Sequence, residues 1–193
     1  MKKSLRALAA AAAVWGLAGH AALAAPVTYE IDSSHTFPRF SYRHQGLSTQ
    51  LSSFRQTTGV VVYDAQAKTA SVNVSIDMGS VNSGFAPLDE HLRANDMFDV
   101  AQYPTATFRS TRVVFSGDKP VRIQGDLTIK GVTRPVTLEV IDFVAIRHPS
   151  KNKPAIGAQA ITKIKRSEFN AGTHVPLVGD EVTIDIALEA IAQ

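Results

Sequence analysis

The chain has 193 residues, with 20 Lys and Arg against 17 Asp and Glu, for a formal net charge of +3. It has no cysteine, which excludes disulfides, thiol catalysis, sulfur-ligated zinc and a lipid-modified cysteine anchor.

Residues 1–24 read as a cleaved secretory signal peptide. Lys2, Lys3 and Arg6 form a basic head, Ala7 to Leu17 an apolar run, and Ala22, Leu23 and Ala24 the small-residue site that a signal peptidase reads. The run is too short for a resident membrane helix, and no other segment approaches about 18 consecutive apolar residues. Stable membrane insertion is therefore not expected. Residues 25–193 remain as one domain, to be found in the periplasm. Three of the basic residues and none of the acidic ones lie in the leader, so the remainder carries 17 of each sign. Without a basic excess, no nucleic-acid partner is expected.

Beyond the leader the hydrophobic period is two. Strands are predicted over 27–32, 37–44, 53–63, 71–76, 105–115, 120–129, 134–146, 155–166 and 182–188. Val72, Val74 and Ile76 alternate with polar residues, as do Val182, Ile184, Ile186 and Leu188, giving strands with one dry face. Turns are predicted at 64–68, 116–120 and 130–134. One segment differs: Pro87 to Ala94 reads as a short helix, with an early proline and acids in its first turn. Leu88, His91 and Leu92 share one face of that helix. Evenly spaced strands and turns indicate an all-β sandwich or barrel. Nine Phe residues scattered along strands and loops suit either a filled core or a lined cavity.

Catalytic signatures are lacking. There is no Gly-x-Ser-x-Gly elbow, no phosphate-cradling glycine loop and no dinucleotide fingerprint. No enzyme and no cofactor is expected. Phe40, Tyr42 and His44 form one face of a strand, so His44 ends an apolar, inward row. His91 lies on the apolar face of the helix. Each histidine suits a core hydrogen bond or a polar contact at a pocket mouth. No local His-x-x-x-His spacing exists, so a metal site would need convergence across the fold, and none is expected.

Asp32, His35, Thr36, Phe40 and His44 resemble the opening pattern of the YceI-like family. Asp89, His91 and Leu92 match its helix motif. Phe98, Asp99, Tyr103, Pro104 and Phe108 match the run that follows. Gly125, Leu127, Thr128, Gly131, Pro135 and Val136 match its hairpin, and Arg166 and Phe169 a late Arg-x-x-Phe. Three departures from the family pattern occur: Leu88 where a basic residue is common, Asn170 where Gly is common, and the pair Pro38 and Arg39.

The resemblance implies a lipocalin-like antiparallel barrel of about eight strands, with a short helix between strands and an elongated apolar cavity. It implies a polyisoprenoid or similar long-chain amphiphile as ligand, of the quinone or isoprenyl phosphate type. Phe40, Tyr42, Phe54, Phe108 and Phe115 are expected on the wall, with Leu92 and Phe98 beside them. His44, His91 and Arg166 are expected near the polar end, with Arg166 pairing with an anionic head group. Rival readings are stress-protective sequestration of hydrophobic compounds and a quinone-linked redox accessory. A homodimer is compatible with all of them.

Overall fold

The structure, a computed structural model, describes residues 25–193; the predicted leader lies outside the described residues. The chain forms β1 (Val27–Ile31), β2 (Phe37–His44), β3 (Ser48–Phe54), β4 (Thr57–Asp64), β5 (Thr69–Asp77) and the short β6 (Val81–Asn82). Helix α1 (Ala86–Arg93) follows, then β7 (Thr105–Ser116), β8 (Lys119–Ile129), β9 (Val132–Arg147), β10 (Pro154–Lys165) and β11 (Val178–Ala192).

Antiparallel pairing runs β1-β4-β5-β7-β8-β9-β10-β11 and returns to β1, closing a barrel of eight strands. Closure leaves these strands no free edge, which is how an all-β chain avoids unpaired backbone groups. Period-two patterning then sets what lies inside. Val61 and Tyr63 on β4, and Val182, Ile184, Ile186 and Leu188 on β11, all face the barrel interior.

The first staves of the barrel are broken. β11 pairs with β2 through residues 178–187 and with β1 through residues 190–192. Between them Thr36, fully buried, replaces a backbone pair. Its hydroxyl donates to the Glu189 carbonyl at 3.2 Å and accepts the Glu189 N–H at 3.1 Å. The next stave breaks at Arg55 and Gln56, whose N–H groups both reach the Ser80 hydroxyl at 3.1 Å. The third breaks at the 3-10 turn Met78–Ser80. Beyond these breaks β2, β3 and β6 prolong the sheet, and α1 packs against β6. Arg93 fixes that contact by donating to the carbonyls of Gly79 (2.8 Å) and Val81 (3.2 Å).

Two expectations need correction. The predicted strand 53–63 is two strands, and β3 begins at Ser48. Its sequence, Ser-Thr-Gln-Leu-Ser-Ser-Phe, has no apolar alternation to reveal it. The predicted turn 130–134 is only two residues long: Lys130 (φ 47°) and Gly131 (φ 76°) join the paired Ile129 and Val132. Two successive positive φ values mark the tight hairpin turn whose twist matches its strands.

Candidate functional site

The barrel encloses a cavity of about 490 Å³. Its wall is almost wholly apolar and draws on every barrel strand except β1, together with β2, β3 and α1. At one end Tyr63 meets Phe143 edge-on, with ring centroids 5.3 Å apart. At the other, Phe40 is the hub of an aromatic group, 5.4 Å from Phe54, 5.9 Å from Phe98 and 6.3 Å from Tyr42. The exposed members of the wall are Gln45, His91, His174 and Leu177. They mark the mouth, between the β2–β3 turn, α1 and the loop before β11. The Gln45 N–H donates to the Leu177 carbonyl at 2.8 Å and so joins two sides of the rim.

The structure brings most of the sequence-predicted site residues together. Phe40, Tyr42, His44, Phe54, His91, Leu92, Phe98, Phe108 and Arg166 all line the cavity. Phe115 stands apart. It is not among the cavity-lining residues; its ring packs against the barrel core, 6.3 Å from Tyr63 and nearly parallel to it. Sequence reading missed Phe169, which is 1% exposed and also on the wall, and His174 at the mouth. Phe169 was visible as part of a late motif, but nothing local marks His174.

Arg166 is placed differently from its expected use. Its guanidinium donates to four backbone carbonyls: Gly179 (2.9 Å), Ala171 (2.6 Å), Thr173 (2.8 Å) and Val178 (2.8 Å). Four of its five N–H donors are thus engaged in holding the loop 170–178 against β11. Burial pulls the Arg166 pKa down, while Asp180 and Tyr42 oppose that shift. Burial also raises the Tyr42 phenol, partly offset by Arg166. Asn170, in the place where the family often has Gly, caps the 3-10 turn Arg166–Phe169 with φ 56°. Asparagine is among the few residues that enter this left-handed region readily.

The cavity also holds one unpartnered polar group. Thr57 is 1% exposed, lies on the wall, and its hydroxyl has no hydrogen-bond partner.

A model of the YceI-like domain matches residues 29–190. The YceI protein of Escherichia coli is 38% identical over 194 residues, covering all of both chains. This chain belongs to the YceI-like family. Solved structures agree with that assignment. BcnA of Burkholderia cenocepacia superposes with a TM-score of 0.71 at 26% identity, covering 82% of this chain and 98% of BcnA. A polyisoprenoid binding domain from Saccharophagus degradans has the same fold, with a TM-score of 0.67 at 18% identity over 86% of this chain and 99% of that one. The YceI-like motifs quoted above fall on structural necessities. Gly125, for example, sits against the Phe108 ring, where a Cβ would come within 2.5 Å of the nearest ring carbon.

Proposed function

We propose that this YceI-like protein is exported by its leader, residues 1–24, and holds a long-chain amphiphile of the polyisoprenoid type for carriage or storage. The observation that carries this reading is the enclosed apolar cavity of about 490 Å³ with a polar mouth. That volume suits a small-molecule site, which typically combines apolar walls with a few polar groups. Each CH₂ taken out of water contributes about 0.8 kcal/mol, so a long chain binds tightly without polar contacts. The isoprenoid class is the first to test because the same fold serves a polyisoprenoid binding domain.

The polar end of the ligand lies at the mouth, among His44, His91 and His174. Arg166 supports the rim from behind. No catalytic step is assigned: the wall offers a surface for binding and no nucleophile with an activating base.

The test compares Phe108→Asp with Ser75→Asp. Phe108 is on the wall and 6% exposed, whereas Ser75 lies on β5 away from the cavity. Occupancy by a fluorescent long-chain probe should collapse in the first variant and persist in the second. Equal effects in two folded variants would remove the cavity as the binding site.

A further inference from the structure

His91, Asp96 and His174 come from three different places in the chain and meet at the cavity mouth. His91 lies in the last turn of α1, Asp96 in the segment after it, and His174 in the loop before β11. One ligand atom from each lies within 4.8 Å of the other two. The two imidazole rings are 6.0 Å apart between centroids. We propose that these three side chains form a binding site for a divalent transition-metal ion of the zinc class.

The donor set argues for that class. Two imidazoles and one carboxylate suit Zn²⁺ and its late first-row neighbours, whereas Mg²⁺ and Ca²⁺ favour all-oxygen sites. Around a tetrahedral Zn²⁺ with bonds of about 2.0–2.2 Å, ligand atoms stand about 3.3 Å apart. The three groups therefore need to close by up to about 1.5 Å, which side-chain rotation supplies because all three are exposed. None of the three side chains is engaged in a hydrogen bond or ion pair with another described residue, so their lone pairs are available.

Their backbones, by contrast, are held from several sides. Lys130, at the tip of the β8–β9 hairpin, donates to the carbonyls of Asn95 (3.0 Å) and Met97 (2.8 Å) and brackets Asp96. The Thr173 hydroxyl donates to the Asp96 carbonyl at 2.5 Å. Arg166 holds the Thr173 and Ala171 carbonyls in turn. His174 itself sits at φ 67° and its carbonyl accepts the Val178 N–H at 2.8 Å. A non-glycine residue in the left-handed region needs such surroundings to keep it there. The result is three exposed side chains carried on backbone that is held in place. Three protein ligands leave one tetrahedral position open, as in exchangeable sites. Because His91 and His174 line the cavity, that position faces the mouth.

The sequence holds no local His-x-x-x-His motif. The fold supplies the convergence instead, across 83 positions between His91 and His174.

The test uses the exported chain carrying no polyhistidine tag, treated with chelator and titrated calorimetrically with Zn²⁺. Binding of one equivalent is expected, with His91→Ala and His174→Ala each weakening it about 100-fold and Thr173→Val about tenfold. The exposed His35→Ala should bind as the parent does. Thermal melts confirm folding, and uptake of an apolar probe in the same samples reports on the cavity separately. No binding to the parent chain, or stoichiometric binding that survives in the folded His91→Ala/His174→Ala double variant, would overturn the site. Either result would leave the apolar cavity reading standing.

Discussion

At the residue scale, two side chains connect sequence motif to structure most directly. Arg166 looks like an anion-binding residue on its chemistry alone, since guanidinium matches phosphate. In the fold its N–H groups saturate four carbonyls around the loop 170–178. Hydrogen bonds to charged groups are worth about 1.5–3 kcal/mol each, and leaving several carbonyls unpaired is costly. Arg166→Ala should therefore destabilise the protein by about 3 kcal/mol in urea unfolding; a loss under about 0.5 kcal/mol would contradict its role as a latch. Gly125 makes the opposite point, because it acts through what it lacks. A Cβ there would lie 2.5 Å from both the Phe108 ring and the Arg109 carbonyl oxygen. Overpacking of this kind costs about 1–3 kcal/mol, so Gly125→Ala should lower the denaturation midpoint measurably. Unchanged stability would mean that Phe108 has room to move.

At the scale of elements, one device recurs where strands connect. Asp32 accepts the N–H and hydroxyl of Ser34, Asp89 those of Ser83, and Asp180 those of Ser167. These bonds hold all three carboxyls below the usual range; the Ser34 hydroxyl leads at Asp32, the Ser83 hydroxyl at Asp89 and the Ser167 N–H at Asp180. A carboxyl whose pKa is depressed by folding stabilises the fold above its unfolded pKa, about 3.9, and loses that contribution as pH falls through the folded value. Asp89 ties the start of α1 to the preceding turn, so Asp89→Asn should cost about 1 kcal/mol at pH 7, the size of a helix-capping bond. The difference from the parent should shrink below about pH 4 and vanish at lower pH. A gap between the two proteins that is constant from pH 7 to pH 2 would contradict this assignment.

Strands with strong alternation, such as β5 and β11, were legible from period two alone, and α1 from its proline and acids. β3 was not, because Leu51 and Phe54 are its only apolar residues and their spacing of three puts them on opposite faces. Phe108 and Phe115 both read as wall residues, but only Phe108 lines the cavity, while Phe115 stacks on the wall residue Tyr63.

For the molecule as a whole, closure of eight strands and the breaks in three of them together produce a lined hollow with one rim. The wall could be listed from alternation and the family resemblance. That space remains between the walls could not, because side-chain volumes do not reveal how far apart the strands stand. His174 escaped notice for a related reason, since its proximity to His91 exists only in the closed barrel. The most direct test of the central claim is mass spectrometry of the organic-solvent extract of protein purified from its native host without detergent. A long-chain amphiphile at one per chain is predicted, and Ala160→Trp, which puts an indole onto the buried wall at Ala160, should shorten the longest chain retained. An extract empty of apolar ligand, from protein that also takes up no added long-chain probe, would contradict the claim and leave the hollow without a guest.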